Sequence, residues 1–384
     1  LHLIDGSAFI FRAYHALPPL TRKSDGLPIG AVAGFCNMLH RYVEGNTGPN
    51  APTHVAVIFD KGSHTFRNDM YDQYKANRDA MPEDLRPQIP LTRTATEAFN
   101  IACKELEGYE ADDIIATLAV QARAAGGRCT IISSDKDLMQ LVGDGVEMLD
   151  AMKNKTIDRD GVFEKFGVYP ERVVDVQALA GDSVDNVPGA PGIGIKTAAL
   201  LINEYGDLDA LLERAGEIKQ PKRRQTLIDH AEQIRLSRNL VLLDENTPLD
   251  FTIDDLEVRD PDADRLLGFL SEMEFRTLSK RVAEVLGREA PAIPEAPAPA
   301  VADAPQVADV AFDHSKYEQV GDAEALRVWL NRIYERGYVA VDTETTGLNE
   351  MTAELVGVSL AVEPGQACYT PLTHKASRDD DLFG

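Results

Sequence analysis

The sequence predicts an α/β protein with a mixed, mostly parallel sheet flanked by helices and followed by a helical section. Short apolar runs at 1–4, 54–59 and 129–134 alternate with segments of helical periodicity such as 29–43, an order typical of parallel strands joined by helices. Amphipathic helical patterns then follow one another without strands between them. They lie at 208–212, 222–238 and 264–286.

Length and composition indicate a cytoplasmic protein of two or three domains. The chain has 384 residues, of which 44% are hydrophobic, enough for ordinary cores. No apolar run reaches the roughly 18 residues of a membrane helix, and the first residues do not resemble an export signal. The four cysteines are scattered without metal-ligand spacing, as expected of buried thiols in a reducing compartment.

A net charge of −24 argues against a nucleic-acid partner, because phosphates select basic surfaces. The sum hides a local pattern, however. Basic residues cluster at 67–78 and at 219–224, and many acids fall in groups that bound cations would neutralise. The charge distribution therefore leaves a nucleic-acid partner open.

Composition and prolines divide the chain further. Pro82, Pro87 and Pro90 predict that 67–102 forms helices that leave the sheet and cross its active edge. The strand patterns at 338–341, 355–362 and 366–369, with a helix at 323–336, are too few to close a two-layer domain, and we expect a truncated one. The predicted units are a catalytic domain (1–170), a helical section (171–287), an Ala/Pro-rich linker (288–311) and the truncated domain (312–384).

Nine acids recur just after predicted strands or at helix openings. They are Asp5, Asp60, Glu110, Asp112, Asp113, Asp135, Asp137, Asp182 and Asp185. Crowded carboxylates repel one another unless cations neutralise them, and all-oxygen ligand sets suit Mg²⁺ or Mn²⁺. Two such ions roughly 4 Å apart can clamp a phosphodiester during hydrolysis. Any single acid could instead be a helix cap or turn residue.

A glycine-rich turn at 189–194 directly follows two of these acids and opens a helix. Gly189, Gly192 and Gly194 allow close backbone approach, and Lys196 and Thr197 lie in the first helical turn. Because helix N-termini attract phosphate, these five residues are candidate DNA-binding residues. Carbonyls of the turn could also hold K⁺, and a tight loop without a ligand is the alternative.

Two further groups are candidates for nucleic-acid chemistry. Lys75 and Arg78 could stabilise charge on a reacting phosphate, with Tyr74 stacking on a base and Arg67 contacting DNA; an exposed charged helix is the alternative. Asp342 and Glu344, after a predicted strand, form a candidate second two-metal site, or else a solvent-exposed turn.

The first roughly 290 residues resemble the 5′-nuclease domain found at the N-terminus of bacterial DNA polymerase I. The motifs that carry the resemblance occur in the family's order. They are Ile4-Asp5-Gly6-Ser7, Phe59-Asp60, Tyr74-Lys75-Ala76-Asn77-Arg78, Glu110-Ala111-Asp112-Asp113, Ser134-Asp135-Lys136-Asp137 and Gly181-Asp182-Ser183-Val184-Asp185-Asn186-Val187-Pro188-Gly189. The departure is Ala190, where the family commonly has valine or isoleucine.

The resemblance implies a monomeric, structure-specific 5′-3′ exonuclease and flap endonuclease that removes primers and flaps from DNA in replication and repair. It implies a helical arch at 67–102 and a helix-hairpin-helix-like DNA clamp around the glycine turn. The acids divide between two metals: Asp5, Asp112, Asp113 and Asp135 would serve mainly the first, and Asp137, Asp182 and Asp185 the second.

Residues 338–369 resemble the start of that polymerase's RNase H-like 3′-5′ proofreading domain, with Asp342 and Glu344 in its first metal-binding motif. We therefore expect a fragment that retains the flap nuclease, has an incomplete proofreading site and lacks the polymerase domain. Two other functions stay open: a non-catalytic module that binds branched DNA, and a nuclease that acts on RNA.

Overall fold

A computed structural model describes residues 1–151, 153–291, 317–336, 338–347, 353–363 and 365–372. These residues fall in two compact units, one up to residue 291 and one from residue 317, and each is described by itself. Most of the predicted linker, from 292 onward, lies outside the described residues. The predicted domain boundaries remain a prediction.

The first unit contains a six-stranded sheet in the order β3-β2-β1-β4-β5-β6. Its strands are β1 (His2–Asp5), β2 (Val55–Thr65), β3 (Ala102–Gly108), β4 (Cys129–Ile132), β5 (Val146–Asp150) and β6 (Lys155–Ile157). All neighbours pair in parallel except β5 and β6, which are antiparallel. The predicted mixed, mostly parallel sheet is confirmed.

The central strands are apolar because both faces of the sheet are covered. Successive side chains of a strand point to opposite faces, so Leu3 and Ile4, both fully buried, enter two different hydrophobic cores. Ile58 and Val57 divide in the same way on β2. At the carboxyl end of β1 the polar Asp5 replaces this pattern, and here the chain turns into a helix.

Helices of the first unit cover the sheet and then continue as a helical section. They are α1 (Gly6–Ala16), α2 (Gly30–Gly45), α3 (Phe66–Met70), α4 (Gln88–Ala98), α5 (Ala111–Ala124), α6 (Arg159–Phe166), α7 (Val173–Ala180), α8 (Ile195–Tyr205), α9 (Leu208–Glu213), α10 (Pro221–Asp229), α11 (Ala231–Val241), α12 (Ala263–Glu272) and α13 (Arg276–Val285). Short 3₁₀ turns lie at Asp137–Leu141, Pro170–Arg172, Ala215–Glu217 and Ile253–Leu256.

The structure corrects the predicted arch. Instead of leaving the sheet, α4 buries Thr92, Ala95, Thr96 and Ala98, and it packs against α2 and β3. Pro90 lies in its first turn, where a missing N–H is tolerated, so the proline does not break the helix. Within 67–102, only 71–87 and 99–101 lie outside helices and strands.

The second unit pairs α14 (Ala323–Arg336) with a four-stranded sheet in the order β7-β10-β9-β8. Its strands are β7 (Glu318–Gln319), β8 (Ala340–Thr345), β9 (Leu355–Glu363) and β10 (Gln366–Pro371). Trp329 of α14 is buried against Val320, Val362 and Cys368. Across the described ranges of both units, no helix is long and apolar enough to cross a membrane.

Candidate metal centre and nucleic-acid interface

Eight of the nine predicted acids line one cavity of about 460 Å³ at the carboxyl edge of the sheet. They are Asp5, Asp60, Glu110, Asp112, Asp135, Asp137, Asp182 and Asp185. The cavity wall also contains Lys75, Arg78, Lys136 and Lys165. Parallel strands end at the same edge, which explains why residues so distant in sequence meet here.

Hydrogen bonds fix the acids that follow β1 and β4. Asp5 caps α1 by accepting from the backbone N–H of Ala8 at 2.9 Å, and its other oxygen accepts from Ser133 Oγ at 2.8 Å. The same Ser133 Oγ accepts from the backbone N–H of Asp135 at 3.0 Å. Ser133 therefore ties the end of β1 to the loop after β4, and so holds two of the acids together.

Asp60 and Glu110 are positioned by the start of α5. Asp60 lies within β2 and accepts from Ser7 Oγ at 2.6 Å and from the N–H of Ala111 at 2.9 Å. Glu110 is the N-cap of α5, so Asp112 falls in the first turn of that helix. Both lie where a helix N-terminus favours negative charge.

Asp113 is a correction to the predicted metal ligands. Its side chain is fully buried, and its oxygens accept from Arg67 Nη1 and Nη2 at 2.7 Å each, from the N–H of Glu110 at 3.1 Å and from the N–H of Asp244 at 2.9 Å. These bonds use the acceptor capacity of the carboxylate. Asp113 therefore serves the fold and not the cavity.

Arg67 was predicted to contact DNA, and this is wrong. The side chain is 1% exposed, and besides Asp113 it donates to the carbonyls of Leu240 and Leu242. Burial opposes its charge, but the hydrogen bonds and charge of Asp113 outweigh that effect and raise its pKa. The guanidinium ties α3 and α5 to the end of α11.

The loop between α7 and the glycine turn presents Asp182 and Asp185. Reciprocal backbone bonds of 2.8 and 2.7 Å between Asp182 and Val187 close it. Gly181 and Gly189 meet backbone to backbone at its base: a Cβ on Gly189 would lie 2.4 Å from the nitrogen of Gly181. Only glycine fits such an approach, and both residues also have positive φ.

Three cations neutralise one half of the cavity. Lys75 Nζ lies 2.7 Å from Glu110 Oε1 and 3.6 Å from Asp185 Oδ2, and Arg78 Nη2 lies 2.5 Å from Asp185 Oδ1. Lys136 Nζ lies 2.6 Å from Asp182 Oδ2. Burial favours the neutral form of Asp185, but Lys75 and Arg78 outweigh it and lower its pKa. We call Glu110, Asp182 and Asp185 the paired acids.

The other acids of the cavity have no Lys or Arg within ion-pair distance in the described part of the chain. These unpaired acids are Asp5, Asp60, Asp112, Asp135 and Asp137. Burial, reinforced by the charges of Asp135 and Asp60, raises the pKa of Asp5 to about 6. Burial and the charge of Asp135 raise the pKa of Asp137 to about 7, and similar causes raise that of Asp112.

The donor chemistry of the unpaired acids fits a hard divalent cation. Carboxylate oxygens are the preferred ligands of Mg²⁺ and Mn²⁺, and a bound cation would relieve the repulsion that raises these pKa values. No group of three or more His, Cys, Asp or Glu side chains within the described ranges is already arranged around a metal position. For the paired acids, a metal would have to compete with the three cations.

Tyr74 was predicted to stack on a base, and the structure corrects this. The ring is 4% exposed and packs against Val187, Leu240 and Val241. Its hydroxyl donates to Glu110 Oε2 at 3.3 Å and to Asp185 Oδ2 at 3.4 Å. Burial, then the charges of these two acids, raises its pKa. Tyr74 is therefore a neutral hydrogen-bond donor to two of the paired acids.

Among the side chains of the cavity that sequence reasoning missed are Phe11 and Lys136. Phe11 is 45% exposed and lines the cavity. Lys136 stands between Asp135 and Asp137, and its pairing with Asp182 depends on a contact across the fold. In the sequence, the position of Lys136 between two candidate metal ligands was the signal that could have identified it as a cavity residue.

The glycine turn divides into a buried and an open part. Gly189 is buried, its N–H donates to Ser237 Oγ at 3.0 Å and its carbonyl accepts from Gln233 at 2.7 Å, so its predicted DNA contact is wrong. Gly192 and Gly194 are exposed, and their N–H groups donate to no acceptor in the described residues. Lys196 is exposed and Thr197 is half-buried in the first turn of α8.

Asp342 and Glu344 belong to the second unit. They lie within β8 itself, opposite Ser359 and Gly357 of β9, and not after the strand as predicted. All residues of β8 are exposed.

The α/β part of the first unit and the helical section that follows it each match a family model of 5′-3′ exonucleases. The family model of the 5′-3′ exonuclease N-terminal resolvase-like domain matches residues 1–167, and that of the C-terminal SAM fold matches 168–264. A 3′-5′ exonuclease model matches 317–383, in agreement with the predicted RNase H-like segment.

Relatives extend the match. The 5′-3′ exonuclease of Aquifex aeolicus is 36% identical, over 74% of this chain and 96% of its own length. The chain belongs to the 5′-3′ exonuclease family. DNA polymerase I of Rhizobium leguminosarum is 49% identical over 100% of this chain, which spans 44% of that relative's length.

A solved structure supports the fold. The bacteriophage T5 D15 flap endonuclease, in a pseudo-enzyme-product complex with DNA and metal ions, has a TM-score of 0.52 at 22% identity. The match covers 74% of this chain and 97% of that one.

Proposed function

We propose that the chain is a divalent-metal-dependent, structure-specific 5′-3′ exonuclease and flap endonuclease that hydrolyses phosphodiesters of DNA. The observation that carries the proposal is the convergence of eight carboxylates with Lys75 and Arg78 in one cavity. Family membership and the DNA and metal ions bound by the T5 flap endonuclease support it.

The residues that would hold the metal are the unpaired acids first, with the paired acids completing a second position. When bound, Mg²⁺ or Mn²⁺ supplies Lewis-acid activation of water and charge stabilisation at the phosphate. The protein contributes the fixed positions of the acids, through the Ser133 bridge and the closed loop at 182–187.

Lys75 and Arg78 provide the positive charge that faces the phosphate. Their present partners, Glu110 and Asp185, line the same cavity, so a phosphate entering it meets both cations at short range. Charge-assisted hydrogen bonds to phosphate oxygens are stronger than neutral ones and grow in importance as charge develops. The exposed ring of Phe11 offers the stacking surface that Tyr74 does not.

The open part of the glycine turn would bind the DNA backbone away from the cut. The N–H groups of Gly192 and Gly194, which have no acceptor among the described residues, would form an anion-binding end together with the N-terminus of α8. Lys196 lies beside it. Backbone carbonyls of 189–194 could hold K⁺ between the turn and a phosphate. Because the turn follows Asp185 directly in sequence, gripping the duplex here would set its distance from the acids.

Preference for flapped, nicked or RNA-primed duplexes, a role in replication and repair, a monomeric state and a cytoplasmic location belong to the same proposal. For the longer relatives, DNA synthesis is the activity that their name states. Asp342 and Glu344 would form part of a proofreading site in such a longer protein. A non-catalytic branched-DNA module and an RNA nuclease are the alternatives.

One cleavage experiment separates these functions. Purified chain is mixed with a 5′-flapped DNA duplex, its RNA counterpart and the unflapped duplex, with Mg²⁺ or with excess chelator. The proposal predicts Mg²⁺-dependent cutting of the flapped DNA to 5′-phosphate products. Binding without cutting would favour the silent module, and preferential RNA cutting would favour the RNA nuclease. Equal cutting in chelator would refute metal dependence.

A further inference from the structure

Two segments more than 100 residues apart in sequence are joined by a short ladder of hydrogen bonds beside the acid cavity. Asn77 Nδ2 donates to the carbonyl of Ser183 at 2.7 Å, and Asn186 Nδ2 donates to the carbonyl of Gln73 at 2.6 Å. Between them, the backbone N–H of Lys75 donates to the carbonyl of Asp185 at 3.0 Å. Each segment thus contributes one asparagine amide that grips the backbone of the other.

The ladder holds backbone conformations that are rare without support. Lys75 has φ of 56°, and Asn186 has the same value. Left-handed φ is common for asparagine but uncommon for lysine, and a residue keeps it only where neighbouring contacts enforce it. Residues 71–78 lie outside helices and strands, and besides the ladder they are held by the buried ring of Tyr74 and by hydrogen bonds within the turns.

The fixed backbone determines where two cations point. From Lys75 the side chain reaches Glu110 and Asp185, and Arg78, next to Asn77, reaches Asp185. The ladder and the three ion pairs therefore share one short stretch of chain. Moving that stretch away from the loop at 182–187 would move both cations from the cavity.

We propose that Asn77 and Asn186 are positioning residues, which hold Lys75 and Arg78 over the reacting phosphate by clamping 71–78 onto 182–187. The inference rests on the proposed function of these two cations. Neither asparagine lines the cavity, so their effect on cleavage passes through the segment they hold.

Two substitutions remove the amides with little other change. Asn77 is exposed, so Asn77→Ala creates no buried gap. Asn186→Gly removes the amide and keeps the positive φ, which glycine adopts without strain. Asn203→Ala is the matched control, because Asn203 is exposed and donates one amide bond of 2.8 Å to the carbonyl of Gly167, on the helical section.

Steady-state cleavage of the flapped duplex gives the first readout. Losing one such hydrogen bond should lower kcat roughly three- to tenfold in either variant, with KM within about twofold, while Asn203→Ala matches the unmodified chain. In a Lys75→Ala, Arg78→Ala background, Asn77→Ala should change kcat by less than about twofold, because the groups it positions are gone. The same fractional loss in both backgrounds, or unchanged kcat in both asparagine variants, would overturn the proposal.

Hydrogen exchange gives a second readout that needs no catalysis. Faster amide exchange confined to 71–78 and 182–187 is expected in both asparagine variants, and unchanged exchange there would count against the clamp. If the unmodified chain cuts no substrate, the proposed function fails and exchange alone decides whether the clamp exists. If Lys75→Ala cuts normally, the role of the cation fails while metal-dependent cleavage stands.

Discussion

The two halves of the acid cavity differ in how their negative charge is balanced. On one side, Glu110, Asp182 and Asp185 each lie within 3 Å of a lysine or arginine. On the other, the described residues place no such cation against Asp5, Asp112 or Asp137, whose pKa values are raised. One half is neutralised by the chain itself and the other is left to an external cation.

The difference indicates that the lysine and arginine side chains of the paired half can change partners, from a carboxylate to a phosphate, rather than form permanent ion pairs. The cations of the paired half sit within reach of the space a phosphate would occupy, so they can pass from carboxylate to substrate. A carboxylate released in this way becomes available to a metal. The Asp113–Arg67 pair differs, because both side chains are buried and neither can reach a substrate phosphate.

Removing the buried pair has the largest expected effect, and it falls on stability. Arg67→Ala leaves the charge of Asp113 buried without its partner, which should lower the free energy of unfolding by about 3–5 kcal/mol. Denaturant titration measures this. Arg265→Ala, which breaks an exposed pair with Glu97 at 2.9 Å, should cost less than about 1 kcal/mol. Equal losses would mean that the Arg67 pair contributes no more than a surface pair.

Neutralising an unpaired acid should separate activity from stability. Asp112→Asn removes a carboxylate from the metal-binding half and should lower Mg²⁺-dependent cleavage by roughly a hundredfold or more. Without metal the same change relieves repulsion from Asp135 and Asp5, so the melting temperature in chelator should rise. A variant that melts lower in chelator and cuts normally would contradict the division of the cavity.

Lys136→Gln tests exchange in the paired half. Without Lys136, the Asp182 carboxylate should bind a metal more readily, so Mn²⁺ should bind roughly three- to tenfold more tightly in the absence of DNA. DNA binding in chelator should lose one phosphate contact. Calorimetry and binding titrations at several salt concentrations measure both. Lys165→Gln is the control, since Lys165 lines the same cavity without a carboxylate within ion-pair distance in the described residues. Identical changes in Mn²⁺ and DNA affinity in the two variants would mean that the effect depends only on net charge.

The smallest expected effect tests the turn apart from the acids. Gly192→Val forces a β-branched residue into φ of 77° at the open turn and should weaken DNA binding about fivefold without changing Mn²⁺ affinity. Gly126→Val introduces the same strain at the same φ after α5. Among the described residues, no atom beyond the adjacent ones in the chain lies within 4 Å of a Cβ added to either glycine. Unchanged DNA affinity, or equal weakening by Gly126→Val, would mean that the turn does not bind DNA.

Local pattern predicted the α/β alternation and eight acids of the cavity, because strand ends and helix caps are written in neighbouring residues. It failed where partners come from distant segments. Asp113 looks like Asp112 in sequence, and only the buried Arg67 distinguishes it. In sequence Gly189 cannot be told from Gly192, and only its backbone contact with Gly181 in the folded structure distinguishes it. The edge strand β3 was missed because its half-buried, charged sequence lacks the apolar run of the central strands.

Mn²⁺ binding to Asp135→Ala and Asp185→Ala, measured by calorimetry without DNA, tests the central claim most directly. If the unpaired half takes the metal first, Asp135→Ala loses the tighter binding event. Asp185→Ala, which frees Arg78 and leaves Lys75 paired with Glu110, retains it. Loss of tight binding in Asp185→Ala with normal binding in Asp135→Ala would contradict the account.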